Sequence, residues 1–204
     1  MTAMSSPSNA PGTRERLIQA MSNGLQIGGF HGVALNDLLT QAQAPKGVLY
    51  HHFPGGKVDL AVAAIRAFVT HVKTALDGLQ ATHGDPFQVI GAWLEQAQKA
   101  LEQGAFERTC PLASVALDST AEDVVLRQAV ARGFAEIREY LESLLEQAGV
   151  TGPRASALAI LLVSGYEGAL IQARVAGSVT PLEETSTLLL EMLRLELTTK
   201  VRSK

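Results

Sequence analysis

Apolar positions begin to recur at helical spacing at Thr13, with Leu17, Ile18, Met21, Leu25 and Ile27 gathering on one face. The Thr13 hydroxyl predicts an N-cap for this helix, and Gly28-Gly29 ends it. Phe30 follows in a glycine-rich connection, placed to plug the packing against the next helices. Residues 36–43 predict a short helix whose apolar side is Leu35, Leu38, Leu39 and Ala42. Ala44-Pro45 stops it, because proline removes a donor and disfavours the helical region for the residue before it, yet suits the first turn of a new helix. That new helix is predicted over 46–53. Pro54-Gly55-Gly56 breaks the chain again, and a longer helix runs from Lys57 to about Leu79 on the stripe Leu60, Ala64, Phe68, Val72 and Leu76. Further helices are predicted at about 86–103, 111–119, 121–148, 154–175 and 182–199, divided by glycine, proline and Asp-Ser-Thr breaks. No run alternates over strand length and no fixed repeat appears.

Composition sharpens this to an all-α chain. Hydrophobic residues are 47% of the 204 but aromatics only 5%, which favours close-packed helices over strands of β-branched and aromatic residues. The single cysteine, Cys110, excludes an intrachain disulfide and a cysteine metal cluster, and fits a reducing cytoplasm. The opening MTAMSSPSNAPG has no basic segment followed by an apolar one, so residues 1–12 are expected to be a disordered tail. The apolar run from Ala155 to Val163 is far short of the about 20 residues that span a bilayer. A soluble cytoplasmic protein is expected. The formal charge is −3, with a slight basic excess over residues 1–60, too small to suggest nucleic acid by itself.

The informative stretch is GFHGVALNDLLTQAQAPKGVLYHHFPGGKVDL, residues 29–60. Two short helices joined by a tight turn meet the geometry of a helix-turn-helix. Val48, Leu49 and Phe53 would face a three-helix core, leaving Lys46, Gly47, Tyr50 and His51 toward a groove. His52 would face the junction with the rest of the chain. The stretch resembles the DNA-binding domain of the TetR family, in its Gly-Phe after the first helix and its Lys-Gly-x-Leu-Tyr-His-His-Phe in the third. The resemblance implies an N-terminal three-helix domain over 13–58 and an effector-binding and dimerisation bundle over 59–204. It implies that Pro45, Lys46, Gly47, Tyr50 and His51 meet the major groove of operator DNA, and that Thr13 and Lys57 hold phosphate. An ammonium and a helix N-terminus both favour phosphate, and a glycine allows close approach. The family's hydroxyls are replaced here by Val33-Ala34, Gln43-Ala44-Pro45 and Val48, so their phosphate contacts are absent.

The Cys110-Pro111-Leu112 element and the GYEGALIQARVAGS segment at 165–178 resemble the LmrA/YxaF branch of that family. This implies a homodimeric repressor released by a small molecule, often governing efflux or detoxification genes. Glu167, within an apolar helix, either recognises a cationic or hydrogen-bonding effector or pairs with Arg174 or a partner subunit. Trp93, Phe106 and Tyr166 are candidate pocket residues. Cys110, before a proline at a helix start, is either a small buried hydrophobe or a thiol of lowered pKa. The sequence holds no paired metal-ligand motif, nucleophile elbow or phosphate-cradling loop, so neither metal, cofactor nor enzymatic activity is expected. Two rival readings remain: a ligand-binding or interaction module of the same fold that has lost operator binding, and an enzyme using Glu167 and histidines.

Overall fold

The computed structural model describes residues 11–201, with side chains through Glu196. The expected tail, residues 1–12, lies outside this range except for Pro11 and Gly12. Among the described residues the chain is helical throughout, in the order α1 (Thr13–Gly28), α2 (Leu35–Gln41), α3 (Lys46–His52), α4 (Lys57–His83), α5 (Pro86–Gln103), α6 (Pro111–Asp118), α7 (Val124–Gln147), α8 (Pro153–Ala176) and α9 (Thr180–Val201).

The small three-helix unit closes around Leu17, Met21, Leu25, Leu38, Leu49 and Phe53, all buried. Ile27, expected on the same stripe, is instead 51% exposed, because two residues past Leu25 on a helix it points about 200° round from that buried side chain. The N-cap of α1 is Gly12, and Thr13 makes no capping bond; its hydroxyl accepts from Arg16 instead. α4 is the spine: 27 residues, about 40 Å at 1.5 Å per residue, touching α1 at one end and α5 and α7 along its length. Its buried stripe is Leu60, Ala64, Ile65, Val69, Val72 and Leu76, and Phe68 lies partly open beside it.

α7 starts three residues later than the expected 121, because Thr120 turns back on Asp123, donating its amide and hydroxyl to that carboxylate at 2.7 and 2.9 Å. α7 is fastened to α4 by the Tyr140 hydroxyl, which donates to Asp77 at 2.5 Å. α8 and α9 pack as an antiparallel pair across Gly165, where an added Cβ would stand 3.1 Å from Leu189. Arg154 pairs with Glu196 at one end of that pair. α8 is long and apolar enough to cross a membrane by length and composition, contrary to the expectation from its shorter apolar run. Its Leu158, Leu162 and Leu170 are buried within the helical fold, and α8 packs between α7 and α9.

Candidate nucleic-acid interface and ligand cavity

The turn between α2 and α3 is a compact helix ending. Gln43 takes a left-handed φ of 50°, its amide donates to the Thr40 carbonyl at 3.1 Å, and the Ala44 amide reaches back to Leu39 at 3.0 Å. This is the paired bonding that closes a helix C-terminus, usually with glycine at the left-handed position. Arg16 supports it from α1: its Nε donates to the Ala42 carbonyl at 3.0 Å, and its other nitrogens bond the Pro11 carbonyl and the Thr13 hydroxyl. With the turn held this way, α3 buries Leu49 and half-buries Val48, and Phe53 just past its end is buried. Its outer side carries Lys46, Gly47, Tyr50 and His51, all exposed, and a Cβ added at Gly47 would meet no protein atom within 4 Å.

Tyr50 is 45% exposed and rests against Gly56, the left-handed residue (φ 65°) that caps α4. A Cβ there would stand 3.0 Å from the tyrosine ring. His52 is half-buried, edge-on to both His51 and Phe53. Lys57 does not reach outward. Its ammonium sits 4.4 Å from the centre of the Phe30 ring, and burial pulls its pKa below the ordinary lysine range, a pull partly offset by the Asp118 charge. Thr13 is half-buried and engaged with Arg16.

In the bundle, a cavity of about 230 Å³ lies among α4, α5, α7 and α8 and the start of α6. Phe68, Trp93, Ile137, Val163, Tyr166 and Cys110 form most of its wall, and the Trp93 and Tyr166 rings are 5.0 Å apart at 42°. It adjoins a more polar hollow beneath residues 103–109, which shares Phe68, Cys110 and Tyr166 with it. Glu167 projects a carboxylate into the apolar cavity, and its Oε2 is buried with no hydrogen-bond partner. Burial raises its pKa to about 7, against a smaller opposing pull from the neighbouring Cys110 thiol. The Cys110 thiol itself is pushed up, first by burial and then by Glu167, which fits the reading of a small buried hydrophobe and not that of a thiol of lowered pKa. Tyr166 is pushed up for the same two reasons.

Two expected pocket residues are elsewhere. Phe106 packs against the core from the loop after α5 at φ 61° and does not line the cavity. Arg174 is exposed, with its guanidinium 3.5 Å from the Ile27 carbonyl, so the expected Glu167–Arg174 pairing is not formed. Seven residues apart on α8, the two lie on one face but about 10 Å along the axis, so Arg174 falls past the cavity toward α1.

Comparison with known proteins bears on both sites. Residues 86–187 match the family model described as "Transcriptional regulator LmrA/YxaF-like, C-terminal domain". An HTH-type transcriptional regulator of Mycobacterium tuberculosis is 30% identical over 196 residues, covering 94% of this chain and 99% of that protein. The chain belongs to the TetR family of transcriptional regulators, in its LmrA/YxaF-like branch. LmrA of Bacillus subtilis is 26% identical to this TetR chain, covering 89% of it and 97% of LmrA. Among solved structures, a TetR regulator from Legionella pneumophila superposes with a TM-score of 0.82 at 22% identity, covering 90% of this chain and 98% of that one. Escherichia coli NemR in its reduced form gives 0.75 at 25%, covering 87% and 94%.

Between cavity and helix-turn-helix, this TetR chain has polar contacts that the sequence did not signal. Cys110 caps the cavity end of α6, and Asp118 ends the helix at the junction, accepting from the His31 amide at 2.8 Å while its Oδ1 is buried without a partner. Gly29 is pressed against it, since a Cβ would stand 2.5 Å from Asp118 Oδ2. The His31 ring, half exposed, also bonds Asp123 at 2.9 Å. Asp123 is held at about 2, first by the Thr120 amide and then by the His31 ring. The Thr109 amide donates to the Gln26 carbonyl at 3.0 Å, closing the same junction. Such contacts join residues 83–92 positions apart, and no local pattern marks them; the one trace was the polar Asp118-Ser119-Thr120 break.

Proposed function

We propose that this TetR regulator is an operator-binding repressor, working in the cytoplasm as a two-fold dimer, that leaves DNA when a small molecule fills the Glu167 cavity. The observation that supports it is the division of α3: Leu49 is fully buried, while Lys46, Gly47, Tyr50 and His51 are open to solvent on a helix short enough to enter a groove. Lys46 supplies a cation for phosphate, Gly47 lets the backbone approach, and Tyr50 and His51 supply donors for phosphate or base edges. The domain boundary falls near Lys57, with residues 13–58 for DNA and 59–204 for ligand and dimer. Lys57, facing Phe30 and Asp118, is assigned to the junction in preference to direct phosphate contact.

One helix-turn-helix reads only a few base pairs, so selectivity calls for two copies on adjacent major grooves. α8 offers a dimer face: Ile160, Ser164, Gly168, Ile171 and Val175 recur at helical spacing with open space above Gly168, and Leu188 and Leu195 extend it on α9. The effector acts through its differential affinity for the DNA-competent and released dimers. Efflux or detoxification genes are the expected targets.

The test is binding of the full-length protein to DNA from its own upstream region across a salt series, with Lys46→Ala and Tyr50→Ala alongside. Saturable, sequence-selective binding that weakens with salt and is lost in both variants supports the reading. Absence of selective binding to any upstream or genomic fragment would leave a ligand-binding module of the same fold.

A further inference from the structure

We propose that the cavity takes a compact, largely apolar ligand bearing one positive charge, with its protonated nitrogen at the Glu167 carboxylate and its hydrocarbon part among Phe68, Trp93, Ile137 and Val163. This rests on the effector reading above and specifies the chemistry of that effector. Three features of the cavity carry it. First, among the described residues Glu167 is the one carboxylate in the wall and no lysine or arginine lines it, His71 being the one basic side chain there, so an anionic ligand would meet a like charge without a permanent counter-ion. Second, Glu167 Oε2 is buried with no hydrogen-bond partner, a desolvation cost that a ligand donor would recover. The carboxylate's internal partner is the Cys110 thiol, a weak donor, which leaves Oε2 unmet. Third, the Trp93 and Tyr166 rings stand beside Glu167, and aromatic faces attract a cation where an acid alone would leave it poorly shielded.

The apolar remainder of the wall sets the other half of the specificity. Highly hydrated dications or sugars would lose water there without replacement bonds, whereas an amine with an aromatic or branched hydrocarbon body would bury both ends usefully. Because burial brings Glu167 to about 7, the arriving cation also favours its ionised form and displaces a proton. The titratable groups facing it are Cys110 and Tyr166, both pushed upward and so uncharged near neutrality, with His71 at the open side and Glu107 and Arg108 in the adjoining hollow. Affinity for the cation is therefore expected to rise with pH through the neutral range.

The experiment uses the sole tryptophan, Trp93, as reporter in the full-length protein. Three isosteric probes are titrated: 4-phenylbutylammonium, 4-phenylbutanol and 4-phenylbutanoate. The ammonium is expected to bind at least about tenfold more tightly than the alcohol and the carboxylate more weakly than either. Glu167→Gln, checked for unchanged helicity, is expected to bring the ammonium down to the affinity of the alcohol and to abolish the pH dependence. An ammonium that binds no better than the alcohol, or a preference that survives in Glu167→Gln, overturns the proposal while leaving the cavity as an effector site for neutral ligands. If none of the three perturbs Trp93, the charge proposal and the assignment of this cavity as the effector site fall together.

Discussion

At Gln43 the backbone enters the left-handed region with a side chain attached, in the turn that sets the angle between α2 and α3. A non-glycine residue there costs about 1 kcal/mol relative to glycine. Gln43→Gly is therefore expected to stabilise the protein by roughly 0.5–1 kcal/mol, less whatever glycine adds to the freedom of the unfolded chain, and to leave DNA affinity unchanged. Urea denaturation checks the first and a binding isotherm the second. Gly56 is the opposite case, since φ 65° and the Tyr50 ring at 3.0 Å both resist a methyl group. Gly56→Ala is expected to destabilise and, by displacing Tyr50, to weaken DNA binding beyond the loss of stability. Glu167 carries a pH signature. Its folded pKa of about 7 lies above the usual carboxylate value, so the folded state holds a proton that the unfolded chain has lost between about pH 4.5 and 7. Stability attributable to this group is retained below that window and declines across it, by about 3 kcal/mol in all. Glu167→Gln is expected to match the parent near pH 5 and exceed it near pH 8, measured by urea unfolding at both.

α6 is eight residues long and touches both sites, with Cys110 at the cavity end and Asp118 at the junction with α1 and α4. Its first turn is fixed by Leu112, fully buried against Gly133 of α7, where a Cβ would stand 2.9 Å from the leucine and 3.1 Å from Val69 of α4. Three helices cross here, and the crossing distance depends on the missing side chain. Gly133→Leu is expected to cost about 1–3 kcal/mol by overpacking, seen as a lower urea midpoint. Asp118→Ala is expected to leave probe binding at Trp93 intact while reducing the response of DNA binding to ligand, because its bond to the His31 amide is lost. Periodicity made the helices legible: the 86–103 segment has the observed bounds, and the inward face of α3 follows from Leu49 and Phe53 alone. The break before α7 was misplaced because the Thr120–Asp123 turn has helix-compatible residues whose side-chain bonds stop the helix. The cavity was half legible. Trp93, Cys110, Tyr166 and Glu167 meet there, but Phe106 packs elsewhere from its loop and Arg174, in phase with Glu167, lies two turns further along α8 against α1.

For the whole molecule, the open question of assembly turns on the outer surface of α8. Val175 is 83% exposed, Ile160 51% and Ile171 39%, all on one side of a helix whose other side is core. Apolar side chains at this spacing, with Ser164 and Gly168 between them, would let a second helix approach closely, which is why this strip is the proposed dimer face. In the proposed dimer, a charge on this strip would make the two copies repel and leave carboxylates in a face that would be desolvated. Ile171→Glu is therefore expected to convert the protein to a monomer in sedimentation, with helicity kept, since Ile171 already faces water within each chain. A monomer has one recognition helix and forfeits the second half-site, so operator affinity is expected to fall by orders of magnitude. Binding of 4-phenylbutylammonium to the cavity is expected to persist in the same variant, because the cavity is lined within one chain by α4 to α8. Retained operator affinity in a demonstrated monomer would show that the two-copy requirement is wrong, while a variant that remains dimeric would move the interface away from this face of α8.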